Sequence, residues 1–157
     1  PLTSSMGRLF DAAAALMGLR AAINYEGQAA IELEAAADPD EHGSYLFEIT
    51  GDTFDPTPLW KMLIKDWYNG ISIPVLAARF QNSIVRLVGE ICQQIRTSSG
   101  VHVVALSGGV WQNRFLLEET LAALKKMKFE VLLHHQVPTN DGGISLGQAV
   151  IAACSIK

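Results

Sequence analysis

Two glycine-rich loops in the last third of the chain constrain its fold more than any other feature. They read Ser107-Gly108-Gly109-Val110-Trp111-Gln112-Asn113 and Thr139-Asn140-Asp141-Gly142-Gly143. Each follows a short apolar run, Val101 to Leu106 and Phe129 to Leu133, and each precedes a helical pattern. Arg114 to Lys126, between them, reads as a helix. Strand, helix and strand within about 30 residues make a βαβ unit, whose two strands run parallel. Both loops then leave the carboxyl ends of neighbouring strands, the edge at which open α/β sheets bind ligands. The first loop offers backbone amides to an anion, and the second offers a carboxylate suited to a metal. Nucleotide chemistry is the class of function this arrangement favours.

The rest of the chain narrows the choice by exclusion. Its 157 residues are one domain by size, or a piece of a larger one, and 49% hydrophobic against 18% charged content means a packed core. A net charge of −4 argues against an extended contact with DNA or RNA phosphates. Cys92 and Cys154 lie far apart in helical patterns, with neither disulfide-framework nor zinc spacing, and read as buried reduced thiols of a cytoplasmic protein. No apolar run is long enough to span a bilayer and no signal peptide is evident, so no membrane role is expected. Pro1 is followed almost at once by the helix-cap residues Thr3, Ser4 and Ser5, which suggests a fragment of something longer.

Periodicity predicts a helix from Arg8 to Gly18 with Leu9, Ala12, Ala13 and Leu16 on one face. A second runs from Gly27 to Ala37, ending before Asp38-Pro39. Tyr45 to Ile49 reads as a strand and Gly51 to Pro58 as a loop. A helix opens at Thr57-Pro58 and closes near Asn69-Gly70. The longest helix starts at Ser72-Ile73-Pro74 and ends near Ser99-Gly100, with an apolar stripe of Ala77, Phe80, Ile84, Leu87, Val88, Ile91 and Ile95 that reads as ordinary core. The last helix covers Ile144 to Ala153. The expected fold is α/β, helix-rich with a small sheet.

Each candidate functional residue has a plainer reading beside it. Gly108-Gly109 lacks the lysine of a Walker loop and the Rossmann glycine spacing, so it reads as a tight turn that lets backbone amides approach an anion. Asn113 either caps the following helix or reads a base edge, and capping leads slightly. Asp141 is a helix cap by default, although two glycines follow it and a cation bridging it to a phosphate is chemically sensible. Asp11 defaults to a solvated face, or else bonds something polar such as ribose hydroxyls. His134 and His135 point opposite ways on a strand, His102 reads as a core histidine, and His42 lies in a polar loop. None of the four has ligand spacing.

Four segments taken together resemble a known family. They are Ser4-Ser5-Met6-Gly7-Arg8-Leu9-Phe10-Asp11-Ala12, Tyr25-Glu26-Gly27-Gln28-Ala29-Ala30, Leu106 to Asn113, and Asn140-Asp141-Gly142-Gly143-Ile144-Ser145-Leu146-Gly147-Gln148. In this order, over nearly the whole chain, they resemble the carboxyl-terminal part of the HypF carbamoyltransferases of [NiFe]-hydrogenase maturation. The resemblance implies the actin, Hsp70 and sugar-kinase superfold (RNase H-like), with a small mixed sheet, and residues 1–157 as the second lobe of the transfer domain. It implies ATP or carbamoyl adenylate as bound nucleotide, and transfer of the carbamoyl group to the carboxyl-terminal cysteine thiol of a HypE-like partner. By position, Gly7 and Asp11 match ribose contacts, Gly108, Gly109 and Asn113 match adenosine and phosphate contacts, Glu26 matches the nucleotide pocket, and Asp141 matches a divalent-metal ligand. Amides and a metal would then stabilise the phosphate leaving group while the thiolate attacks.

The departures bear on activity. The family's paired His-x-x-x-His metal motif belongs to the other lobe and has no match here, so Asp141 alone leaves most of a coordination shell to water. The YrdC-like, zinc-binding and acylphosphatase-like parts also have no match, and Met6 stands where a smaller residue is expected. The chain by itself is therefore expected to recognise nucleotide without completing catalysis. The nearest rival is a lobe of the sister tRNA threonylcarbamoyltransferases. Trp111-Gln112 and Tyr25-Glu26-Gly27-Gln28 favour the hydrogenase type. The other rival is a non-catalytic nucleotide- or partner-binding module. In either case a half-domain is expected to expose an apolar face.

Overall fold

Alanine-rich segments pack closely because their side chains are short, and the fold starts from such a pair. The computed structural model describes residues 4–155, so the candidate cap Thr3 lies outside the described residues. Helix α1 (Met6–Leu16) buries Phe10, Ala13 and Ala14 against α2 (Gln28–Ala36). The buried face is rotated from the expected one: Ala12 is exposed, because Phe10 takes the central position, edge-on to Phe80 at 5.1 Å. Gly18, at φ 74°, ends this segment as expected.

Helices α3 (Thr57–Tyr68) and α4 (Ile73–Ser99) complete the main core. Leu33, Leu59, Leu63, Leu76, Ala77, Phe80 and Ile84 are all buried together in it. The stripe on α4 holds as core only through its first four turns, since Ile95 is 48% exposed. Between α2 and α3 the chain departs from expectation. Tyr45 is buried but lies outside any strand, held by its backbone N–H donating to Ser83 Oγ at 2.7 Å and its hydroxyl donating to Asp66 at 3.1 Å. Burial, with Asp66 beside it, pushes its phenol well above the ordinary value. The expected strand shrinks to β1 (Glu48–Thr50), which pairs antiparallel with β2 (Thr53–Asp55) inside the expected loop. Gly51, at φ 63°, makes the tight turn between them.

The βαβ unit is present. Strand β3 (Val103–Ala105) runs parallel to β4 (Glu130–Leu132) with Val104 opposite Val131, and α5 (Arg114–Lys126) connects them. Leu106, Leu124 and Phe129 form a second, smaller core beneath the pair, and Trp111 packs against both cores. Arg96 closes its edge, stacked 4.1 Å from the Phe129 ring and donating to the Met127 carbonyl at 2.7 Å. Antiparallel and parallel pairing thus both occur, in two separate two-stranded sheets.

Three further expectations change. His102 is exposed and precedes β3, so it is no core histidine. His134 and His135 lie beyond β4, both exposed. Cys92 is half-buried, its thiol pushed up by burial, but Cys154 is exposed. Cys154 sits on α6 (Ile144–Ser155), a helix with no buried residue at all. None of the helices among the described residues is long and apolar enough to cross a membrane.

Candidate functional site

A cleft of 1040 Å³ lies where α1, the loop before α2 and the two glycine loops converge. Gly7, Asp11, Glu26, Gly109, Asn113 and Asp141 all line it. Residues from four distant stretches of sequence therefore meet in one place. Gly108 lies just behind this wall, and its role is conformational. It adopts φ 108° and ψ 157°, a region essentially confined to glycine. Its N–H donates to the Thr139 carbonyl at 2.8 Å, which ties the first loop to the second. Gly108 therefore offers no free amide. Gly109 instead opens a short 3-10 turn (Gly109–Gln112), whose leading N–H groups have no partner within the turn.

Asn113 caps α5. Its Oδ1 accepts from the Leu116 N–H at 2.7 Å, and its Nδ2 donates to Gln81 Oε1 at 2.8 Å, with both residues buried. Glu34 of α2 reaches the same helix end and accepts from the N–H groups of Arg114 and Phe115 at 2.8 and 3.2 Å. The amino terminus of α5 is thus already satisfied by a side-chain anion, which suits the positive end of the helix dipole.

At the second loop the capping role falls to Asn140, not Asp141. Asn140 Oδ1 accepts from the Gly142 N–H at 3.0 Å. Gly143 sits where a Cβ would come 2.8 Å from the Pro138 carbonyl oxygen, so the loop needs glycine there for space. Asp141 stays exposed at the cleft. No group of three or more His, Cys, Asp or Glu able to hold a metal occurs among the described residues. The residues present do not fit a metal site by themselves.

On the opposite wall Asp11 faces Arg8, its neighbour one helical turn away, at 3.1 Å. Glu26 is exposed in a loop that α2 holds firmly. Arg20 makes two bonds to Glu32, at 2.8 and 2.7 Å, and holds its carboxyl below the ordinary value. Gln28 bonds Glu32 and accepts from the Asn24 N–H at 2.8 Å. Gly27, at φ 79°, then turns the chain into α2. Ile23, Ile31 and Val110 supply apolar wall, and Arg8 is outnumbered among the lining residues by the carboxylates of Asp11, Glu26, Glu34 and Asp141. Such a cleft suits a flat apolar group with hydroxyls more than a bare polyanion.

Sequence reasoning missed Glu34, Gln81 and Asn140. Asn140 had a signal, an Asx residue two before a glycine. Glu34 in the last turn of α2 and Gln81 within α4 act across the fold, where no local pattern marks them. His134, whose Nε2 lies 3.0 Å from Ser107 Oγ, is likewise brought to the first loop only by folding.

Comparison with known proteins gives the family and the fold. Residues 1–148 match the family described as carbamoyltransferase, Kae1-like domain, second subdomain. The chain belongs to the HypF carbamoyltransferase family. It is 42% identical over 152 residues to the carbamoyltransferase HypF of Synechocystis sp., covering 94% of this chain and 19% of that protein. It is 37% identical over 153 residues to HypF of Rhizobium leguminosarum bv. viciae, covering 97% of this chain and 20% of the relative. A crystal structure of full-length HypF in a phosphate- and nucleotide-bound form superposes with TM-score 0.93 at 41% identity, over 98% of this chain and 21% of that one. The chain thus spans about a fifth of the length of these HypF proteins.

Proposed function

We propose that this chain is the nucleotide-holding second lobe of a HypF-type transfer domain. In this reading it receives carbamoyl adenylate, or ATP, and serves carbamoyl transfer to a cysteine thiol of a HypE-like partner in [NiFe]-hydrogenase maturation. The observation that carries the reading is the convergence of the four family-like segments on one cleft. Its apolar wall of Ile23, Ile31 and Val110 suits a purine face, and the Asp11 carboxylate suits paired ribose hydroxyls. The leading amides of the Gly109 turn suit a phosphate oxygen, and the second N–H of Asn113 suits an acceptor on the ligand. The unpaired cysteines agree with a reducing, cytoplasmic setting.

Transfer breaks the bond between the carbamoyl carbon and the adenylate phosphate oxygen and forms a carbon–sulfur bond, with AMP as leaving group. This chain's part is to orient the nucleotide and to stabilise the leaving phosphate through backbone N–H groups. The attacking thiol, its base and the remaining ligands of a metal at Asp141 would come from outside these residues.

Calorimetric titration with ATP and AMP tests the proposal, alongside Asp11→Ala and Asn113→Asp. The second substitution keeps a capping oxygen for Leu116 but removes the amide donors. Saturable binding, weakened about tenfold by each change as expected for a lost bond to a polar ligand, supports the reading. A folded chain that binds neither nucleotide overturns it.

A further inference from the structure

Gln81 lies on the face of α4 that packs into the core, and it is fully buried. Its Oε1 accepts from Asn113 Nδ2 at 2.8 Å, while its own Nε2 finds no partner among the described residues. Burying half of an amide without a partner is costly, and a leucine or methionine would remove that orphan only by leaving one buried Asn113 proton without its acceptor. Core filling alone therefore does not account for a glutamine here.

Its effect on Asn113 does. The Leu116 backbone N–H can only donate, so it fixes Oδ1 of Asn113 toward α5 and turns Nδ2 the other way. Gln81 then takes one of the two Nδ2 protons. One N–H is left on a side chain that lines the cleft, and the amide cannot flip without breaking both bonds. The result is a fixed donor on a cleft-lining residue, with no amide rotation left to lose when a ligand binds.

We propose that Gln81 is a positioning residue of the nucleotide cleft: it locks the Asn113 amide so that a single N–H donor is presented to an acceptor atom of the bound nucleotide. The inference rests on the nucleotide reading given above.

The test compares the unsubstituted chain with Gln81→Met and Gln81→Glu by ATP titration and thermal melting. Gln81→Met is expected to weaken ATP binding about threefold to tenfold, the scale of freezing one side chain on binding, while its melting temperature changes little, because one orphaned amide proton replaces another. Gln81→Glu keeps an acceptor oxygen and is expected to recover most of the affinity. Unchanged affinity in Gln81→Met overturns the proposal. So does a loss of affinity that follows a loss of melting temperature and is not recovered by Gln81→Glu.

A second measurement needs no substitution. In the unsubstituted chain, nitrogen-15 spectra should show one slowly exchanging Asn113 side-chain proton, and ATP should shift the other. A pair that exchanges equally fast overturns the lock even where ATP binds. Absence of ATP binding by the unsubstituted chain instead brings down the nucleotide reading, and the inference with it.

Discussion

Arg79 gathers the groups through which one carboxylate, Glu41, contributes to the acid stability of this fold. It bonds Asp66 at 2.8 Å and Glu41 at 3.3 Å, joining the loop before Tyr45 to α3 and α4. Glu41 accepts from the Gly43 N–H and, with Arg79 also beside it, is held below its ordinary value of 4.5. A depressed carboxyl contributes stability that is present above its unfolded value and lost as pH falls through the folded one. Melting temperature is therefore expected to hold at neutral pH and to fall below about pH 4.5. In Glu41→Gln that acid decline should be shallower, with a lower plateau near pH 7; thermal melts between pH 3 and 7 check both. Such partners are not legible in sequence, because Glu41 and Arg79 meet only after two helices have packed. Gly108 and Gly143 are a contrasting case. Their presence in the loops was plain, but the reasons differ, a backbone angle at one and a missing Cβ at the other.

Among the elements, those with a complete local signal were legible. α5 runs from Arg114 to Lys126 as periodicity and its Asn113 cap predict, and the βαβ unit follows from two apolar runs around it. β2 was hidden because three exposed residues carry no alternation that could mark a strand. The face of α1 was misplaced because alanines fit either side, and only Phe10 meeting Phe80 decides between them. α5 also depends on a carboxylate from another helix. Removing it with Glu34→Ala should cost about 1 kcal/mol, the usual size of a lost amino-terminal cap. The exposed Arg114–Glu118 pair on the same helix should matter far less, so Glu118→Ala is the control. Urea denaturation of both variants gives the comparison.

At the scale of the whole molecule, the missing burial of α6 is the clearest departure from a self-contained domain. Ile144, Leu146, Val150 and Ile151 are each more than half exposed. Apolar side chains exposed on both sides of a helix drive association in water. Sedimentation at rising concentration should show self-association, and Val150→Lys with Ile151→Glu should reduce it without lowering the melting temperature. A monomer at all concentrations would contradict this expectation. The general need for an exposed face was legible from the resemblance to half of a domain, but its place on α6 was not, since Ile144 to Ser155 is as apolar as a core helix.

One bond gives the cleft a mechanical character. The Gly108 amide on the Thr139 carbonyl fastens together two loops that belong to different βα turns. Neither can shift toward a ligand without dragging the other, so the Gly109 amides and Asp141 keep a fixed separation. The two loops thus work as a single jaw.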